Sequence, residues 1–70
     1  MSRPFEVGDL CRIKRAPGVQ CFFEEGSIVQ IRHVEDDTFY YTKLVLGATK
    51  PEHEDMKNNA MCFKEELEHI

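Results

Sequence analysis

The sequence predicts a mainly β domain of five short strands, with one helical turn before the last. Three observations carry that prediction. A phrase occurs twice: Phe5-Glu6-Val7-Gly8-Asp9 leads into Leu10-Cys11-Arg12-Ile13-Lys14, and Phe23-Glu24-Glu25-Gly26-Ser27 leads into Ile28-Val29-Gln30-Ile31-Arg32. In both copies a Gly precedes a run whose apolar side chains recur at every second position, as when a strand starts out of a tight turn. The third observation is the run Thr38-Phe39-Tyr40-Tyr41-Thr42-Lys43-Leu44-Val45-Leu46, which is rich in aromatic and β-branched residues. Behind the turn cluster Glu35-Asp36-Asp37, it forms a hairpin with the strand before it.

The elements follow in order. Segment 10–15 reads as a first strand, with Cys11 and Ile13 on one face and Leu10, Arg12 and Lys14 on the other. Ala16-Pro17-Gly18 ends it in a reversal, because Pro17 presets its own φ and Gly18 tolerates a positive one. Segment 19–23 is apolar for a loop, and two readings are compatible with it: a cap buried over one end of the fold, or an exposed binding loop. Segment 28–34 is a second strand, with Val29, Ile31 and His33 on one face and Ile28, Gln30, Arg32 and Val34 on the other. Along the third strand Tyr40 and Tyr41 point to opposite faces, Phe39 following Tyr41. Segment 47–59 is polar and long for a connection in so small a domain, which marks it as a functional or mobile insertion. Segment 60–63 is a short strand, and 64–70 starts as a single helical or 3₁₀ turn and finishes as a last strand that brings Leu67 and Ile70 against the body.

Seventy residues make one domain, spanning 1–70 with the insertion at 47–59, and its core is necessarily small. At 41% hydrophobic and 31% charged the chain is globular rather than disordered. No stretch approaches the ~20 apolar residues of a membrane span, and the opening Met-Ser-Arg-Pro-Phe-Glu lacks the apolar run of a secretory signal. Cys11, Cys21 and Cys62 are an odd, widely spaced set that suits free thiols in a reducing compartment. A cytoplasmic protein is therefore expected. Net charge is −4, and it is segregated: residues 1–34 carry +1, residues 35–70 carry −5. Such acidity disfavours binding of nucleic acid over the whole surface while leaving room for a local basic face.

The repeated Gly-led openings, the strand from Phe39 to Lys43 and the ending Phe63-Lys64-Glu65-Glu66-Leu67-Glu68 together resemble a small five-stranded SH3-like β-barrel. The opening is similar to the KOW-type and ribosomal-protein-type versions, in which Gly-Asp introduces the first strand and a later Gly the second. The chain also resembles short bacterial and bacteriophage proteins of this shape, over nearly its whole length outside 47–59. The resemblance implies a barrel with a one-turn helix near the C-terminus. It leaves function open, since such barrels serve as peptide binders, RNA binders and enzyme accessory subunits. Two departures bear on that choice. The chain has no Trp, on which the polyproline groove of peptide-binding SH3 domains depends. The stretch from Gly18 to Gly26, short and basic in KOW-type RNA binders, here holds two Phe and two Glu.

Arg12, Lys14, Arg15 and Arg32 are candidates for one basic face, with Tyr40 as a stacking ring for nucleic acid; the solvated outside of a sheet looks the same. Glu35, Asp36 and Asp37, with Glu52, Glu54 and Asp55 of the insertion, are candidates for an acidic surface that docks on a basic protein. Phe22, Phe23 and Phe39 are candidates for lining a small-molecule pocket at the barrel mouth. His33, His53 and His69 show no metal-ligand spacing with the cysteines, so no metal or cofactor is expected. No triad order, phosphate loop or acid pair stands out, and no enzyme is expected. The leading expectation is a non-catalytic protein-interaction module, a small acidic adaptor or inhibitor docking on a basic partner. The alternative is a nucleic-acid-binding module. Self-association through open sheet edges completes the set.

Overall fold

The structure is a computed structural model that describes residues 5–18, 22–36 and 38–70. Asp37, Cys21 and Arg3 lie outside the described residues, as do Val19 and Gln20 of the expected apolar cap. Five antiparallel strands make one sheet: β1 (Leu10–Ile13), β2 (Ile28–Val34), β3 (Phe39–Leu46), β4 (Ala60–Phe63) and β5 (Leu67–His69). Their order is β4-β3-β2-β1-β5, and no pairing between β4 and β5 closes it. The helical content is 3₁₀ only, at Pro51–Met56 and Lys64–Glu66, and among the described residues no helix is long and apolar enough to cross a membrane.

The repeated phrase folds into a repeated structure. In each copy the residue after the glycine donates its N–H back to the glutamate that opens the turn, Asp9 to Glu6 at 3.0 Å and Ser27 to Glu24 at 3.1 Å. Gly8 and Gly26 sit there at φ +95° and +92°, the conformation that a turn with Gly in third place requires. Each turn then docks on the other copy's strand. Gly8 donates to the Ile31 carbonyl and Gly26 to that of Ile13, both at 2.8 Å, while Ile31 and Ile13 donate back to Asp9 and Ser27 at 2.9 and 2.8 Å. Cys11 faces Val29 in the register, so the two copies are related by a local two-fold through that pair. The Asp9 carboxylate also accepts the Glu6 N–H at 2.9 Å, which makes it part of the turn.

Alternation places the core. Cys11 and Ile13 of β1, Val29 and Ile31 of β2, Tyr40 of β3, Ala60 and Cys62 of β4 and Leu67 of β5 are buried on the inner face, together with Phe5 and Phe23 from the two lead-ins. Phe5 stands edge-on to Tyr40 at 5.4 Å and stacks on His69 at 4.4 Å. β1 ends at Ile13, two residues short of expectation, although the Lys14 N–H continues the β1–β5 register to the Glu66 carbonyl at 2.8 Å. Ile70 is 65% exposed rather than packed on the body. It continues the β1–β5 register opposite Leu10, on the outer side.

His33 also departs from expectation. The β2–β3 register shifts between Ile31 and His33, so Arg32 is an extra residue in β2. Such a bulge breaks the two-residue period. His33 is therefore turned outward, and Val34 packs against the core in its place.

Segment 47–59 is built into the molecule. The Ala48 carbonyl accepts from Glu24 N–H at 2.9 Å and from the Ser27 hydroxyl at 3.2 Å, and the same hydroxyl accepts the Ala48 N–H at 3.3 Å. Phe23 bridges to Thr49, Lys50 donates to the Phe22 carbonyl, and Leu44 donates to that of Lys57. The 3₁₀ segment starts at Pro51, where a missing N–H costs nothing, and its Met56 packs against the core.

Two thiols are sealed in this core. Cys11 and Cys62 are both fully buried, and Cys62 Sγ lies 3.3 Å from the Thr42 hydroxyl. The Cys11 thiol is pushed up from 9.0 to about 11, first by burial and second by the Asp9 carboxylate. The unfolded chain therefore loses this proton near pH 9 while the folded chain keeps it to about pH 11, so base favours unfolding across that window. Urea unfolding at pH 8 and pH 10.5 should show a larger loss of stability in the parent than in Cys11→Ala. Equal losses would remove the shifted thiol from the account.

Candidate interaction surface

The outer face of β2, β3 and β4 carries a row of rings. After the bulge His33 faces Tyr41 across the β2–β3 ladder, Tyr41 faces Met61, and Phe39 faces Phe63 across β3–β4. Ring centroids lie 5.8 Å apart for His33 and Tyr41, 6.2 Å for Tyr41 and Phe39, and 6.1 Å for Phe39 and Phe63. The last two pairs are edge-to-face, the arrangement that aromatic quadrupoles favour. Tyr41, Phe39, Phe63 and Met61 are each half-buried. The core lies under the other face of these strands, so the row stands outside it.

Polar groups rim the row. The Glu35 carboxylate lies 3.1 Å from His33 Nε2, with both side chains about half or more exposed. Asp36 is committed to the hairpin turn, its Oδ1 accepting the N–H groups of Thr38 at 2.6 Å and Phe39 at 3.3 Å. Glu65 is exposed on the short 3₁₀ turn that follows Phe63, and Lys64 starts that turn with its N–H on the Thr38 carbonyl. Arg32 is exposed at the bulge.

The other candidate residues do not gather as the sequence leads one to expect. Tyr40 is fully buried and offers no ring to a ligand; it faces Val34 beyond the bulge, and Tyr41 is the outward tyrosine. Glu35 and Asp36 sit at one end of the eight-residue β3, while Glu52, Glu54 and Asp55 follow its other end. At ~3.4 Å per residue those ends are roughly 25 Å apart, so the acid forms two ends rather than one flank. The basic residues are also dispersed. Arg12 faces Ile28 and pairs with Glu68 at 3.5 Å, whereas Arg32 lies further along β2, roughly 14 Å away by strand rise. Lys14 and Arg15 line a cleft of about 450 Å³ beneath the 14–18 turn, where Glu24 and Glu25 offset them and Lys50. Phe22, Phe23 and Phe39 share no mouth: Phe23 is in the core, Phe22 stands edge-on to His53 at 4.7 Å, and Phe39 belongs to the outer row.

Two features were hidden in the sequence. The row of rings draws on three strands, and only pairing and the bulge align it. Glu66, in an acidic ending, is fully buried, and its Oε2 accepts the Phe63 N–H at 3.1 Å. The only sequence signal for it is its place three residues after Phe63, the spacing of a carboxylate that returns to the start of a helical turn.

Among the described residues no cluster of three or more His, Cys, Asp or Glu is arranged to hold a metal. No family model, curated protein or solved structure matches the chain. The surface presents large flat rings, a sulfur and a charged rim.

Proposed function

We propose that this chain is a non-catalytic protein-interaction module, an SH3-like barrel that docks on a basic partner protein in the cytoplasm through the outer face of β3 and β4. The row Tyr41–Phe39–Phe63 with Glu35 at its rim is the observation that carries this reading. Aromatic rings and Met are the residues that interface cores favour, and they contribute most where a rim excludes water. The barrel assignment is supported by the strand order, with β1 between β2 and β5, and by the single 3₁₀ turn ahead of the last strand. The odd, widely spaced set of three cysteines accords with a reducing compartment.

Nucleic acid is the competing ligand. Arg32 and Lys43, on strands beside Tyr41, favour it, while the Arg12–Glu68 pair and the net charge of −4 oppose it.

Capture from a cell extract by the immobilised chain tests the reading. Deleting 47–59 would remove the anchors of Phe23 and Ser27, so substitutions are the proper controls. A protein partner should be retained by the parent and by the triple variant Glu52→Gln, Glu54→Gln, Asp55→Asn, and lost by Tyr41→Ser. Retention by Tyr41→Ser with loss by the triple variant would move the site to the other end of β3, and recovery of nucleic acid alone would overturn the reading.

A further inference from the structure

We propose that the ring row is an arginine-recognition surface: the outer faces of Tyr41 and Phe39 take a guanidinium from an extended basic segment of the partner, with Glu35 as its counter-charge. This rests on the interaction-module reading and names the chemistry that the same face would select. Three observations carry it.

The first is adjacency of π-faces and a carboxylate. Glu35 lies 3.1 Å from His33 Nε2, and the His33 ring is tilted at 42° to Tyr41 with centroids 5.8 Å apart. A planar cation laid on Tyr41 therefore has a carboxylate within one residue's breadth. The second is accessibility. The Glu35 and His33 side chains are 48% and 63% exposed, so an incoming cation can displace the imidazole from the carboxylate without opening the core. The third is charge. Around the row the carboxylates of Glu35, Asp36 and Glu65 equal in number the cations Arg32, Lys43 and Lys64, so the preference for a cation comes from the chain's net charge of −4 and from the exposed Glu35 beside the rings.

The choice between arginine and lysine follows from shape. A guanidinium is flat and weakly hydrated, so it stacks on a ring while its edge donates to a carboxylate. An ammonium holds its water more tightly and gains less from an open, half-exposed face. Phe39 stands edge-to-face with both Tyr41 and Phe63, which keeps three rings within reach of one occupant.

The test is a heteronuclear NMR titration of the full chain with two synthetic peptides, acetyl-Gly-Arg-Gly-Ser-Gly-Arg-Gly-Ser-Gly-Arg-amide and its lysine counterpart. The arginine peptide should shift resonances of His33, Glu35, Phe39, Tyr41 and Phe63 and bind at least threefold more tightly than the lysine peptide. Tyr41→Ala should weaken it at least fivefold, Glu35→Gln about threefold, and Tyr41→Phe should keep the affinity and thereby separate the ring from the fold. Equal binding of the two peptides, or shifts centred on Glu52, Glu54 and Asp55, would overturn the arginine site while leaving a module for basic partners standing. If neither peptide binds and a thymidine decamer shifts Tyr41 instead, both readings fall.

Discussion

Tyr40→Ala should unfold the domain or bring it to the edge of unfolding, while Tyr41→Ala, one residue away, should leave it folded. Tyr40 is the largest fully buried side chain, edge-on to Phe5 on the inner face. Truncating a buried aromatic costs about 3–5 kcal/mol. The whole stability of a chain this size is only about 3–10 kcal/mol. Tyr41 stands on the outer face, half-buried against His33, Phe39 and Met61, and its loss removes cross-strand contacts worth about 1 kcal/mol. Urea unfolding followed by far-ultraviolet circular dichroism reads both. Comparable costs for the two variants would mean that the alternation across β3 is misassigned, and the ring row would lose its place on the surface.

Gly47→Ala should be the most damaging of the four glycine-to-alanine substitutions. Gly47 has φ +119°, and a Cβ there would lie 2.5 Å from Ser27 Oγ, 2.8 Å from its Cβ and 2.9 Å from its Cα. Backbone atoms cannot swing away as a side-chain tip can. Strain at positive φ and overpacking together cost about 2–5 kcal/mol. The displaced residue is also the one that matters locally, because the buried Ser27 hydroxyl holds both the carbonyl and the N–H of Ala48. Losing that clamp should free segment 47–59 from Phe23, visible as faster amide exchange at Ala48 and Lys50. Gly18→Ala is the control: Gly18 is at φ +78° with nothing within 4 Å of its would-be Cβ. If both substitutions cost the same, the contact with Ser27 contributes nothing and backbone strain alone explains the loss.

Much of the scaffold is legible in the chain because its signals are local. The two Gly-led turns, the Cys11/Ile13 and Val29/Ile31 faces, the β2–β3 hairpin and the 3₁₀ turn before β5 are each set by neighbouring stretches of chain, and they appear where alternation and turn chemistry place them. The errors share one cause. The outward turn of His33 depends on a register shift that belongs to the pairing of β2 with β3, and the exposure of Ile70 depends on its position opposite Leu10. Segment 47–59 looks loose because its own residues are polar, yet its anchors are Phe22, Phe23, Glu24 and Ser27, which lie far back in the sequence.

By itself the sequence determined a mainly β chain of five strands in this order, two equivalent turns and an acidic second half, since each is set by composition or by neighbours a few bonds away. Only the tertiary structure decided which tyrosine faces outward, that the acid divides between two ends of β3, and that four rings from three strands form one row. Those outcomes depend on distances between residues remote in the chain. Strand pairing and the register shifts between β2 and β3 set such distances, and neither leaves a local trace in the sequence.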